Sequence, residues 1–246
     1  MNYKGQINFI LITVMLFFTG CSDLCDCFHG TGDIVSEERN LPVIQGIYLT
    51  SNVDLIVHVD SVRRMRVTAG KNIVEGIETK VESGVLRIRN TNKCNWVRKL
   101  DPRLEVEIWT DQLESIFVED ANGDITFKDT LTNKIFRLDI FNGLGSYHTI
   151  TKSEIITLAI HNGPADIIAE GTADNLYMYH VGYGIMNCLL LESQNVYINN
   201  RGTNDIYTNA ENILDAKIEY IGDIFYKGSP GTINQQITGT GKLIKL

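Results

Sequence analysis

The chain has 246 residues, 43% of them hydrophobic, and carries 22 basic against 30 acidic side chains for a net charge of −8. Nucleic-acid affinity rests on neutralising phosphates with Lys and Arg, so this balance argues against a nucleic-acid partner. The apolar share is ample for a packed core, which sets the chain apart from disordered sequences.

Residues 1–20 read as a segment outside the fold. Lys4 supplies a positive start, and Ile7 to Phe18 is an apolar run broken only by Asn8 and Thr13. That run is shorter than the roughly 20 residues needed to span a bilayer, and it suits the apolar region of a secretory signal. It closes in Phe18-Thr19-Gly20-Cys21, which resembles a bacterial lipobox with Phe18 where Leu is usual. In that pattern Cys21 is lipidated and becomes the mature N-terminus. Removal of Lys4 takes the net charge from −8 to −9, since residues 1–20 hold no other charged side chain. Residues 21–31 form the tether, and Ser22-Asp23 resembles the export signals of Bacteroidetes surface lipoproteins. The expected setting is the cell envelope, as an outer-membrane lipoprotein facing the periplasm or the exterior.

Beyond Cys21 there are Cys25, Cys27, Cys94 and Cys188, a usage that fits an oxidising compartment. Cys25 and Cys27 lie in the tether and Cys94 in the polar stretch Asn90–Asn95, so either tether cysteine can bridge to that loop. Cys27 is favoured because it adjoins the first residues of the fold. A zinc site needs four convergent ligands, and neither a second cysteine pair nor a nearby His pair supplies them. Cys188 lies within an apolar row beside Leu189 and Leu190 and reads as a buried free thiol.

Residues 32–112 are β-rich. Val53, Leu55, Val57 and Val59 alternate with polar residues, as do Met65, Val67 and Ala69, and as do Leu104, Val106 and Ile108. Glu82-Ser83-Gly84 reads as a hairpin turn, and Lys71 to Thr79 as a helical turn or an irregular crossing. Asn52-Val53-Asp54 echoes the later Asn122-Gly123-Asp124, as a degenerate set of the same coils would.

Residues 113–246 repeat. Set twenty residues to a row, one column reads Ile116, Phe136, Ile156, Leu176, Val196, Ala216, and the column two residues on reads Val118, Leu138, Leu158, Met178, Ile198, Ile218. Each strand ends in a turn column of Asn122, Asn142, Asn162, Gly182, Gly202 and Gly222. A fixed period of one alternating strand and one turn is the signature of a β-solenoid. The expected fold is all-β, a right-handed parallel β-helix-like solenoid with coils of about 20 residues, preceded by a β-rich N-terminal half packed on it. Asn122, Asn142 and Asn162 are expected to stack as an amide ladder. Gly228-Ser229-Pro230-Gly231 breaks the register, so the last strand is expected to turn and cap the end.

Three motifs carry a family resemblance: Gly32-Asp33-Ile34-Val35-Ser36-Glu37-Glu38-Arg39, then Leu86-Arg87-Ile88, then Tyr220 to Pro230 followed by Thr238-Gly239-Thr240-Gly241. Together they resemble the head GIN domain of auto-transporter adhesins, over nearly the whole mature chain. The resemblance implies a parallel β-helix-like fold on a Bacteroidetes lipoprotein, with adhesion as the activity. Asn142-Gly143-Leu144-Gly145 and Gly182-Tyr183-Gly184 depart from the Gly-x-Gly-Asp turns usual in the family.

Catalytic chemistry is hard to assemble from the remaining residues. Neither paired carboxylates at glycosidase spacing nor a Ser-His-Asp or Cys-His arrangement emerges. Asp124, Asp166, Asp205 and Asp223 follow turn glycines but do not share a column in the twenty-residue rows, so they read as caps for turn amides. His161 and His180 fall one column apart and are expected on opposite faces. The candidate binding feature is aromatic: Tyr177 and Tyr197 are column neighbours and Tyr179 shares their face, either as a sugar-stacking platform or as a ladder that stabilises the sheet. The reading is therefore a non-enzymatic, lipid-anchored β-solenoid that needs no cofactor or metal and binds a cell-surface glycan or protein. The alternatives are a carbohydrate-active enzyme on the same scaffold and an envelope protein with no ligand.

Overall fold

The computed structural model describes residues 30–93 and 104–246. Cys21, Cys25, Cys27 and Cys94 lie outside the described residues, and with them the expected lipid anchor and bridge.

Among the described residues seventeen strands belong to one hydrogen-bonded sheet. The first half contributes β1 (Ile34–Arg39), β2 (Gly46–Ser51), β3 (Val53–His58), β4 (Arg64–Gly70), β5 (Ile77–Glu82), β6 (Val85–Asn90) and β7 (Leu104–Trp109). The second contributes β8 (Ser115–Ala121), β9 (Ile125–Phe127), β10 (Leu131–Phe141), β11 (Ser146–Asn162), β12 (Asp166–His180), β13 (Met186–Asn200), β14 (Ile206–Ile218), β15 (Ile224–Lys227), β16 (Thr232–Ile237) and β17 (Leu243–Lys245). The sheet coils into a β-solenoid of about 7 turns with coils of about 20 residues.

From β8 to β17 every pairing is parallel, and the inward columns are mostly Ile, Leu, Val and Met, with Phe136 and Ala216 among them. Val118, Leu138, Leu158 and Ile218 are fully buried, and Met178 and Ile198 nearly so. No coil can cover its own apolar side, so each buries the face of the next.

The register is not uniform. Phe136, Ile156, Leu176 and Val196 stack at twenty-residue steps as expected. At the first row, however, Ile116 pairs with Leu138 and Val118 with Ile140, a step of 22. At the last, Val196 pairs with Leu214 and Ile198 with Ala216, a step of 18. Even offsets keep every inward residue inward, because strand side chains alternate with a period of two. The burial pattern therefore survives while the partners change.

The N-terminal half packs on the solenoid by continuing it. β2 pairs in parallel with β8 and with β6, and β3 pairs in parallel with β9 and with β7. The echo between the two halves is a stacking relation: Leu55 lies against Ile125. Antiparallel strands finish this end, with β4 on β7, β1 on β4 and β5 on β6. Ser83 and Gly84 both have positive φ (50° and 79°), the requirement of a primed hairpin turn between β5 and β6. Val74–Gly76 is a single turn of 3-10 helix.

Two expectations are corrected. The amide ladder does not form: Asn142 Nδ2 donates to Asp120 Oδ1 at 2.7 Å, and Asn162 Oδ1 accepts the Asn142 backbone N–H at 2.7 Å. Asp120 and Asn142 both sit at positive φ, and it is Asp120 rather than Asn122 that meets the Asn142 amide. Nor do the described residues turn after Pro230 to close the end. After Pro230 the chain resumes the solenoid, with β16 parallel to β14 and β17 parallel to β15. Pro230 precedes Thr232, the first paired residue, so it removes no ladder hydrogen bond there.

Candidate functional site

The twenty-residue steps at the middle of the solenoid, followed by one step of 18, place outward residues in straight columns. Arg137, Thr157, Tyr177, Tyr197 and Asp215 form one; Asp139, Ala159, Tyr179, Asn199 and Lys217 form the next. The ring centroids of Tyr177 and Tyr197 are 5.0 Å apart with planes 13° from parallel. Tyr177 is 43% exposed, so the first half of the chain does not cover this face. Between the two columns runs a shallow groove of about 330 Å³, lined by Tyr177, Tyr179 and Tyr197 together with Thr157, Asn199, Asp215 and Lys217. The three tyrosines singled out from sequence thus share one depression, whose volume falls at the lower end of ligand pockets.

The polar groups at its far end are differently disposed. Lys217 is paired with Glu219, which Arg201 also approaches at 2.7 Å. The Lys217 hydrogen bond, opposed only in part by desolvation, holds the Glu219 carboxyl below its ordinary range. Asp215 accepts a long hydrogen bond of 3.5 Å from Asn234 Nδ2. One acid and one engaged lysine leave hydroxyls, an amide and ring edges as the groove's main recognition groups.

The aromatic surface extends further than the sequence rows revealed. Tyr179 meets His161 at 5.4 Å, His161 stacks on Phe141 at 4.0 Å, Phe141 on Phe117 at 4.9 Å, and Phe117 on Tyr48 at 5.3 Å. The Arg87 guanidinium lies over Tyr48 at 4.9 Å and ends the run. At a period of twenty Phe117 and Phe141 lie four positions out of register; the step of 22 pairs Phe117 with Asp139 and leaves Phe141 its diagonal neighbour, two residues on. Beneath the run Asp139 is 6% exposed, bonded to Arg137 Nη2 at 3.0 Å and to His161 Nε2 at 3.0 Å. Burial pushes the Asp139 carboxyl up, but these bonds outweigh it and hold the group below its ordinary value. His161 is therefore a surface residue, while His180 is fully buried, on opposite faces as expected.

A larger hollow of about 860 Å³ lies beside β5 and β6, lined by Tyr48, Glu78, Lys80, Glu82, Arg87 and Arg89 among others. Its charges satisfy one another: Arg89 with Glu78 at 2.7 Å, Arg87 with Glu82 at 3.1 Å, and Lys80 with Glu82 at 2.6 Å. A ligand there must displace formed ion pairs, which makes it the poorer site.

The turn aspartates prove to share a column after all, interleaved with Ser146 and Ile185, because the unequal steps realign them. Their role is the expected one. Asp54 Oδ1 accepts the Asp124 N–H at 2.8 Å, Asp124 the Ser146 N–H at 2.9 Å, Asp166 the Ile185 N–H at 2.7 Å, Asp205 the Asp223 N–H at 2.9 Å, and Asp223 the Lys242 N–H at 2.7 Å. Among the described residues no group of three or more His, Cys, Asp or Glu side chains could hold a metal ion. Nor is any described helix long and apolar enough to cross a membrane.

The coiled sheet defines a parallel β-solenoid, a fold found in several solved Bacteroidetes proteins. A putative adhesin from Bacteroides fragilis superposes with a TM-score of 0.77 at 22% identity, covering 87% of this chain and 97% of its own. A putative lipid binding protein from Parabacteroides distasonis gives 0.66 at 18% identity, and a putative adhesin from the same organism 0.64 at 18%, each covering 88% of this chain and 98% of its own. At such identities the likeness establishes the fold. Comparison with curated protein sequences gives no match. The chain belongs to the family described as "putative auto-transporter adhesin, head GIN domain", which matches residues 45–230.

Proposed function

We propose that this protein is a non-enzymatic, lipid-anchored envelope protein that binds a cell-surface glycan in the groove of Tyr177, Tyr179 and Tyr197. The observation that carries this reading is that groove: three tyrosines with an amide and a threonine hydroxyl around about 330 Å³ of open space. Apolar ring surface beside hydroxyls and amides suits the alternating apolar and hydroxylated faces of a sugar. Membership of an adhesin family supports a surface ligand. A hydrolase on this scaffold would need two carboxylates flanking the bound sugar, and the groove has Asp215 alone.

The anchor is Cys21, with the outer membrane as its place, and a Cys27–Cys94 bridge secures the tether to the fold. The test has two arms. Residues 28–246, applied to a glycan array, should bind a restricted set of structures, and Tyr177→Ala with Tyr197→Ala should abolish the signal. Binding that is indifferent to both substitutions would overturn the site. Cys21→Ala should release the full chain from the membrane fraction and stop incorporation of labelled palmitate; equal incorporation would overturn the anchor.

A further inference from the structure

The last coil is paired on one side only. β16 pairs with β14 and β17 with β15, and the register gives neither a second partner among the described residues. Ile233 and Ile237 continue the inward columns of Leu214 and Ile218. Yet they are 44% and 42% exposed, where Leu214 and Ile218 are fully buried. Every residue of β16 is exposed. Core side chains and a row of backbone hydrogen-bonding groups therefore face outward together, the condition under which an edge strand recruits another chain.

The opposite end of the same molecule is guarded against this. Among the described residues β1, paired only with β4, carries Glu37, Glu38 and Arg39, and β5, paired only with β6, carries Glu78, Lys80 and Glu82. Charges on an edge strand deter pairing. β16 reads Thr-Ile-Asn-Gln-Gln-Ile, without a charge or a proline. It is also self-complementary. Ile233 and Ile237 lie at equal distances either side of Gln235, so antiparallel pairing about Gln235 sets each isoleucine against the other from a second copy. Gln235, which continues the inward column of Ala216, then meets its own copy between the two isoleucine pairs, and all inward side chains stay on one face.

We propose that the C-terminal coil is the docking surface for a second copy of this chain, joined end to end by antiparallel β16–β16 pairing. Neither residues 21–29 nor residues 94–103 can reach it. Ten pairing steps separate β1 from β17, through β4, β7, β3, β9 and then β11 to β15, about 48 Å at one strand spacing per step. Residues 21–29, once residues 1–20 are removed, extend at most about 30 Å from Gly30. Residues 94–103 are held at both ends by β6 and β7 and reach out and back only about 17 Å. The contact is isologous and occupies β16 of both copies, so it closes as a dimer rather than propagating as a filament. It places the two N-terminal ends at the far ends of the pair, which lets copies carried on facing surfaces join.

The test uses the mature chain with Cys21→Ala, so that no lipid drives association. Light scattering at tens of micromolar should give twice the chain mass. Ile233→Lys with Ile237→Lys should give a single chain mass with an unchanged far-ultraviolet circular dichroism spectrum. Independently, Gln235→Cys should form a reductant-sensitive covalent dimer well above the level given by Thr132→Cys on the solenoid's flank. A single chain mass for the parent, a dimer that survives both lysines, or equal cross-linking at the two cysteine positions would each overturn the proposal.

Discussion

His180 Nδ1 lies 3.1 Å from Asn200 Oδ1, one coil away, and both residues are fully buried. Asn200 Oδ1 also accepts the Gly202 N–H at 3.0 Å, so His180 Nδ1 is the donor of the pair. Burial pushes the His180 imidazole below its ordinary value of 6.5, and the Asn200 bond opposes this only in part. The unfolded chain therefore binds a proton that the folded chain resists. Stability from this group is complete above the unfolded value and is lost as pH falls below it toward the folded one. The melting temperature should drop between pH 7 and pH 5.5 more steeply in the parent than in His180→Leu. Parallel curves would show that His180 does not titrate on unfolding.

Gly184 packs against the neighbouring coil without room for a side chain. A Cβ there would lie 1.7 Å from the Ala165 carbonyl oxygen, whereas at Gly231 the nearest atom is 3.9 Å away. Gly184→Ala should cost about 1–3 kcal/mol or more by urea denaturation, and Gly231→Ala should stay within about 0.5 kcal/mol of the parent. Equal midpoints for the two variants would contradict the close stacking of the turns.

The solenoid was legible in the sequence because strand side chains alternate and each coil repeats the alternation; Leu138, Leu158 and Met178 declared the core on that ground alone. The unequal steps were not legible. An offset of two residues leaves every inward position inward, so hydrophobicity cannot distinguish Ile116 against Phe136 from Ile116 against Leu138. That ambiguity hid the contact of Phe117 with Phe141 and the shared column of the turn aspartates. Tyr177, Tyr179 and Tyr197 lay within the regular rows, and their common groove followed directly. The open final coil was missed because Pro230 was read as a stop, although it falls before the first residue that pairs.

The aspartate column makes a further prediction. Asp166 Oδ1 accepts the Ile185 N–H at 2.7 Å, and removing the acceptor leaves that amide without its partner. Asp166→Ala should cost about 1 kcal/mol, and Asp166→Asn, which keeps a carbonyl oxygen, should cost clearly less. Chemical denaturation of the two variants measures the difference. Equal losses would assign the effect to charge rather than to the cap.

Cys188 is fully buried, and burial pushes its thiol up to about 12. The thiolate is the reactive form, so Cys188 should resist alkylation at pH 8 in the folded chain and react at once in denaturant. Mass mapping of the labelled site reads this directly. Rapid labelling in the folded state would place the residue outside the core.

The binding role of the tyrosine groove is tested most directly by titrating the best array ligand into the parent and into Tyr177→Ala with Tyr197→Ala, by calorimetry. Removing two aromatic contacts, each worth about 0.5–1.5 kcal/mol, should weaken binding by roughly fivefold to a hundredfold at about 1.4 kcal/mol per decade. The melting temperature should change little, because Tyr177 is 43% exposed. Unchanged affinity would contradict the account. So would a collapse of the fold in both single variants, which would make the tyrosine pair a structural ladder.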